Sequence, residues 1–481
     1  MTSASSLSRS GWQPSTSHPP PPVCPPAPPR LSCAPHSFFD PPRRPRTHPE
    51  PTIRPVPRLR FQRGVQRNVR RGLRQLGPGL ITGAADDDPS GIATYSQAGA
   101  QFGYSMLWTV VFTLPLMAAI QVISARIGYV TGRGLSANIR ERFPRPVLYA
   151  VVGMLLAANT LNIAADLAAM AEALRLILGG SAHVYALTFG LLCLVLQVFL
   201  PYRRYVRVLK WLTLALLAYV AVAFSVTVDW LQVARETAWP QFTRTHEALL
   251  MVVAVFGTTI SPYLFFWQAS QEVEDADVRG GLPHTPAQVR RHLRRIKVDT
   301  IVGMGFSNLI AFFIILSTAA TLHAAGVRDI QTSSQAAEAL RPLAGEFTFL
   351  LFGLGIIGTG MLAVPVLAGS AAYAVAGSAG WRGSLGLRLE HGEGRGFYGV
   401  IAIATVGGVA LCFAPLDPVK ALFWAAVLNG VTAVPIMAVM MLLATRRDTM
   451  GPNAIGPRLR WLGWIATAAM AATVAAMFAT G

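Results

Sequence analysis

Asp86, Asp87 and Asp88 stand in a row inside a stretch otherwise free of charge, and Pro89 follows them directly. Even insertion scales put one aspartate at the bilayer centre at about 2.5–3.5 kcal/mol, so carboxylates in such places mark ion pathways. Proline lacks a backbone donor and clashes with the preceding turn, which forces a break in a helix. Glycine, here Gly91, then permits the unwound conformation. The chemistry such a break offers is cation coordination, a carboxylate beside freed backbone carbonyls. Asp88, next to the proline, is the favoured ligand, while Asp86 and Asp87 are suited to a water-filled vestibule. A second interruption occurs at Ser261-Pro262, with Gly257 one turn earlier. Alone it reads as a proline kink; paired with the first it suggests two unwound segments facing one site.

The elements that carry these breaks are membrane helices. Of 481 residues, 52% are hydrophobic and only 13% charged, about half the charge of a soluble domain. Crossing the hydrocarbon core takes about 20 apolar residues. Stretches of that kind recur near 76–101, 104–126, 147–178, 183–201, 207–228, 247–271, 299–322, 346–376, 397–415, 418–445 and 460–480. The expected fold is therefore an all-α integral membrane protein of about eleven transmembrane helices, the first and sixth broken. Loops rich in Arg and Lys alternate with short neutral ones: Arg126 to Arg145, Arg203 to Lys210, Arg290 to Lys297, Arg382 to Arg395 and Arg446 to Arg460 share one side. The positive-inside rule makes that side, and the N-terminus, cytoplasmic. The two breaks each open a set of five spans, 1–5 and 6–10. An odd number per set inverts the second relative to the first, which gives an inverted 5+5 repeat.

Residues 1–53 are Pro- and Ser-rich and read as a disordered tail. Residues 54–75 form a basic juxtamembrane segment, and 76–481 the transmembrane domain. The net charge of +18 raises nucleic acid as a partner, but the cations sit between apolar spans, where anionic lipid is the partner they fit. Cys24, Cys33, Cys193 and Cys412 form no CxxC, so no disulfide framework is expected. No GxSxG or HExxH appears, so an intramembrane enzyme is not expected, and His323, alone in the seventh span, reads as a packed residue.

These residues resemble the Nramp family of divalent metal transporters. The resemblance runs through Gly77-Pro78-Gly79-Leu80, the Asp88-Pro89 break, Gln97 to Tyr104, Ala125 to Gly128, Thr131 to Leu135, Asp166-Leu167-Ala168 and Gly257 to Pro262, and covers about residues 70–480. It implies a LeuT-type fold with a metal site between the first and sixth spans. The departures are specific. The family's Asp-Pro-Gly-Asn reads Asp88-Pro89-Ser90-Gly91, its Met-Pro-His reads Ser261-Pro262-Tyr263, and its Asp-Leu-Ala-Glu reads Asp166-Leu167-Ala168-Ala169. The thioether ligand, the histidine linked to proton coupling and the glutamate are absent from those positions. That pattern is closest to the Nramp-related magnesium transporter branch.

Ligand chemistry agrees, because oxygen donors suit Mg²⁺, Ca²⁺ and Mn²⁺ and Mg²⁺ is commonly held through its waters by one or two carboxylates. The expected metal residues are Asp88, Gly91, a backbone carbonyl near Thr258, and Ser261. Asp86, Asp87, Asp166, Tyr263 and Asn429 are pathway or proton-linked candidates, with Asp166 either a proton site or the partner of Arg126. No resident cofactor is expected; Mg²⁺ or Mn²⁺ is cargo. The function that follows is transport of a divalent cation across the cell inner (plasma) membrane as an uncoupled uniporter. The alternatives are a proton-coupled Mn²⁺/Fe²⁺ symporter or an organic-solute transporter on the same fold. Asp88 at the break would repel a carboxylate substrate, which counts against the last.

Overall fold

The computed structural model describes residues 78–200, 213–240, 245–278, 285–387, 394–415 and 417–480. The tail, the basic segment, Gly77, the loop cations Arg203, Arg204, Arg207, Lys210 and Arg388, and Cys24 and Cys33 lie outside the described residues. Among the described residues every regular element is a helix. In chain order these are α1 (Pro78–Asp86), α2 (Pro89–Phe102), α3 (Leu107–Thr131), α4 (Leu135–Arg142), α5 (Arg145–Leu178) and α6 (Ala182–Phe199). There follow α7 (Leu217–Ser225), α8 (Trp230–Ala238), α9 (His246–Thr259), α10 (Pro262–Val278) and α11 (Pro286–Thr318). The last are α12 (Ser333–Ala337), α13 (Thr348–Ala379), α14 (Arg395–Leu411), α15 (Pro418–Thr445) and α16 (Pro457–Thr480).

Among the described residues, eight helical stretches have the length and hydropathy to cross a bilayer. One of them, Pro89–Thr131, joins α2 to α3 through a turn at Gly103 (φ 61°) and so holds parts of two expected spans. The fifth expected span is described from residue 213 and meets α8 at a 117° bend, and α14 is a shorter apolar helix. Each of the eleven expected positions is thus helical where it is described. α4 and α8 were not expected. Both are short helices with charged faces, and α8 is capped by Asp229, which accepts from the amides of Leu231 and Gln232.

Proline alone does not explain the breaks. Pro115, Pro365 and Pro435 lie inside α3, α13 and α15, which continue through them. At the first break the backbone of Asp88 is extended (φ −76°, ψ 169°), and Pro89 opens a new helix at the position where its missing N–H costs nothing. At the second, α9 ends at Thr259, Ile260 leaves helical geometry (φ −112°, ψ 56°), and Pro262 opens α10. The halves meet in pairs: α1 packs on α10, and α2 on α9. α11 runs along both α1 and α2, while α5 and α13 form a scaffold beside them. Gly83 allows the α1–α11 approach, since a Cβ there would meet the Gly303 backbone at 2.3 Å. This is the LeuT-type arrangement.

Candidate metal centre

The Asp88 side chain caps α2 across the first break. Its Oδ1 accepts from Ser90 Oγ and from the Gly91 amide, both at 2.7 Å. Oδ2 faces the hydroxyl of Tyr263 at 3.3 Å, and that hydroxyl also donates to Ala85 O at 3.0 Å. A phenol has one proton, so it serves one acceptor at a time. The carboxylate is thereby oriented through Oδ1 and left with coordination capacity at Oδ2.

Across from it, α9 supplies Thr258. Thr258 O accepts from Ser261 Oγ at 2.7 Å, with Gly257 O a second acceptor at 3.0 Å, and keeps a second lone pair for the carbonyl ligand expected here. Thr258 Oγ1 is buried as well and faces the Tyr95 hydroxyl. Gly91 brings the two segments together, since a Cβ on it would lie 3.0 Å from Thr258 Oγ1 and 3.4 Å from Asp88 Oδ1. Gly91 offers no side-chain ligand and supplies space. Ser261, its proton directed at backbone carbonyls, offers only hydroxyl lone pairs.

Asp86 and Asp87 sit on the α11 side. Ser307 Oγ lies 2.6 Å from Asp86 Oδ2 and 2.9 Å from Asp87 Oδ1, and Asp86 Oδ1 has no hydrogen-bond partner. All three aspartates are at most 3% exposed, so the vestibule expected around Asp86 and Asp87 is closed in this state. Asp166 on α5 is fully buried, within electrostatic reach of Asp88, and its carboxylate faces the Ser90 amide at the start of α2. Its expected alternative partner is elsewhere: Arg126 donates to Asn453 O at 2.9 Å and Ala454 O at 3.2 Å. Asn429 on α15 is buried with both side-chain polar atoms unbonded. It precedes Gly430, which lies against Val253 and Gly257 of α9.

Three polar residues escaped the sequence reading. Asn162, one turn before Asp166 on α5, is buried with both amide atoms unbonded, and the buried Tyr95 hydroxyl on α2 faces the Thr258 hydroxyl. Ser307 is the third. The Asn162/Asp166 spacing of four, which puts both on one helix face, was the available signal. His323 is packed, its Nδ1 2.8 Å from Ala100 O. Cys193 and Cys412 are free.

The two ends of the broken helices differ. At the α1 end, Gly79 N donates to Asp299 Oδ2 at 2.8 Å, Gln268 Nε2 to Thr300 Oγ1 at 2.8 Å, and α1 lies against α11. At the α2 end a cavity of about 220 Å³ is lined by Gln97, Gln101, Glu247, Asp329 and Lys420. Asp86, Asp87, Asp88 and Asp166 are thus four buried carboxylates, and among the described residues none is within ion-pair distance of a basic side chain. Each ion taken from water costs several kcal/mol, so the arrangement calls for protons or a multivalent cation.

Residues 79–480 match the family model described as natural resistance-associated macrophage protein-like. A divalent metal cation transporter, MntH, of Deinococcus radiodurans is 28% identical over 412 residues, covering 83% of this chain and 88% of the relative. That of Pectobacterium carotovorum is 30% identical over 297 residues, 60% of this chain and 68% of the relative. Among solved structures, a substituted manganese transporter of Eremococcus coleocola superposes with a TM-score of 0.68 at 17% identity, covering 88% of both chains.

Proposed function

This chain belongs to the Nramp family, and from that premise we propose that it carries a divalent metal cation, Mg²⁺ or Mn²⁺, across a membrane without moving protons. The observation that carries the reading is the helix break itself. Asp88 is held by two donors on one oxygen, and the buried Thr258 Oγ1 stands across Gly91 from it. Asn429, with both side-chain polar atoms unbonded, offers a further oxygen from α15. The donor set is all oxygen, which suits hard cations. The names of the relatives, divalent metal cation transporter and manganese transporter, support a metal as cargo.

Transport on this architecture needs access from each end in turn. The ion enters through the cavity at the α2 end, reaches Asp88, and leaves after α1 and α10 separate from α11. Gly79–Asp299 and the Gly83–Gly303 contact are what must part. Without the family's histidine and glutamate, Tyr263 and Ala169 leave no imidazole-to-carboxylate relay at those positions. One observation favours the second reading, a proton-coupled Mn²⁺ symporter: Asp166 is buried beside Asp88, with no basic side chain within ion-pair distance among the described residues, and is a ready proton acceptor. Reconstitution decides between them. Tracer metal influx and lumenal pH, read together under a clamped potential, will show Mg²⁺ and Mn²⁺ entry with no metal-dependent acidification. Acidification overturns the uncoupled mechanism, and exclusion of Mg²⁺ overturns the selectivity.

A further inference from the structure

The face where α10 meets α11 carries a second group of ligating side chains, remote from the helix break. Glu272 and Asp275 lie three residues apart on α10, on one face of it, and His292 comes from α11. One ligand atom from each falls within 4.8 Å of the others. Glu272 is ten residues beyond Pro262, about 15 Å along the axis at 1.5 Å per residue.

Two features make this more than a surface ion pair. Glu272 is 1% exposed, and its Oε2 stands 3.6 Å from His292 Nε2, within ion-pair distance of a protonated ring but too far for a hydrogen bond. Neither of those atoms has any hydrogen-bond partner. A buried carboxylate oxygen and an imidazole nitrogen therefore converge on the same gap without joining. The ring is also fixed in place: it stacks on Tyr129 of α3, centroids 4.0 Å apart and planes 3° from parallel. Holding an imidazole by its face leaves its in-plane nitrogen to coordinate. Arg295 donates to Asp275 Oδ2 at 3.1 Å, so a cation in the gap competes with that guanidinium for Asp275 and relies most on Glu272 and His292.

We propose that Glu272, Asp275 and His292 form a second divalent-cation site, one that takes a borderline metal such as Mn²⁺, Co²⁺ or Zn²⁺ and links α10 to α11. One imidazole nitrogen with two carboxylates selects this class over Mg²⁺, which prefers oxygen and water alone. The site does not depend on what the helix break carries. It differs from the break in a measurable way, because the donor set assembled around Asp88 contains no imidazole.

Full-length protein in lipid nanodiscs, loaded with Mn²⁺ and read by pulsed electron paramagnetic resonance, tests it. The expected result is ¹⁴N modulation on bound Mn²⁺ in the wild type and in Asp88→Ala, lost in His292→Gln. The double variant Glu272→Gln/Asp275→Asn keeps the stacked ring and should lose the same signal, which covers the case in which His292→Gln fails to fold. Mn²⁺ bound without nitrogen coupling in the wild type overturns the proposal. So does coupling that persists in His292→Gln or in the double variant.

Discussion

Asp88 combines two jobs that pull in different directions. As helix cap it gives Oδ1 to Ser90 and Gly91, and as ligand it must keep Oδ2 for an ion. An alanine there removes both, and capping losses run to about 1 kcal/mol, small beside the loss of the coordinating carboxylate. Asp88→Ala is therefore expected to fold and insert while its Mn²⁺ uptake into liposomes drops by on the order of a hundredfold, roughly 2.7 kcal/mol at 1.4 per decade; near-normal uptake would remove Asp88 from the site. Selectivity belongs to its neighbours. Gly91→Asn with Ser261→Met restores an amide and a thioether, and competition flux should then move toward Mn²⁺ and away from Mg²⁺. The new Cβ at Gly91 meets Thr258 Oγ1 at 3.0 Å, with Asp88 Oδ1 and Tyr95 Cε2 at 3.4 Å, and a χ1 rotation of Thr258 relieves the closest contact. An unchanged Mg²⁺-to-Mn²⁺ ratio in that variant would show that these positions do not set the preference. The sequence was informative where a residue violated its surroundings: three aspartates in an apolar span are visible without coordinates. Asn162, Tyr95 and Thr258 Oγ1 were not, because a polar residue in an apolar helix is usually satisfied by its own backbone. What each of these three faces instead is a fact of packing.

At the scale of elements, the broken helices were legible because each break joins a helix-terminating proline to a polar residue before it. α3, α13 and α15 agree with that rule, since each carries a proline preceded by an apolar residue, Leu114, Val364 or Val434, and continues through it. α4 and α8 were missed because hydropathy finds spans, and a short helix with a charged face looks like loop. The contact that closes the α1 end is also invisible in sequence, for it pairs glycines 220 residues apart. Gly83 meets the Gly303 backbone so closely that any Cβ lands at 2.3 Å. Backbone cannot yield as a flexible side chain does, so Gly83→Val must push α1 off α11. The expected outcome is a protein that binds Mn²⁺ by calorimetry within about threefold of wild type yet transports at under a tenth of its rate, because one of the two access states is lost. Transport at the wild-type rate would mean that this packing is not one of the states the cycle visits. Asp299→Ala acts on the same closure more gently by removing the Gly79 hydrogen bond, which is worth roughly 1.5–3 kcal/mol to a charged acceptor. It should favour the state open at the α1 end, read as faster labelling of a cysteine placed at Thr82. Unchanged labelling would take Asp299 out of the closure.

For the molecule as a whole, the question is what drives the ion. In the orientation we propose from the positive-inside rule, the basic loops and the closed α1 end are cytoplasmic and the 220 Å³ cavity opens on the opposite side. A potential of 100 mV is worth about 2.3 kcal/mol per charge, so a divalent cation gains about 4.6 kcal/mol, more than a thousandfold accumulation at roughly 1.4 kcal/mol per decade. Uptake then needs no proton, which fits a chain with Tyr263 and Ala169 in place of the family's histidine and glutamate. The tail is not expected to contribute, since residues 1–50 lack apolar periodicity; a chain starting near residue 51 should transport as the full one does, and lost flux with normal insertion would give the tail a role. The coupling prediction is sharper because Asp166 tests it from inside. If Asp166 only lines the path, Asp166→Asn keeps the polarity, removes a charge that no basic side chain balances among the described residues, and leaves metal flux equally steep in potential at pH 6 and pH 8. If it accepts a proton during each cycle, the same substitution abolishes a pH dependence that the wild type shows. Measuring wild type and Asp166→Asn at both pH values under the same clamped potential separates the cases. Uncoupled transport requires the two proteins to share one flat profile, and a pH-driven Mn²⁺ influx present in the wild type and absent in Asp166→Asn assigns the proton to that carboxylate.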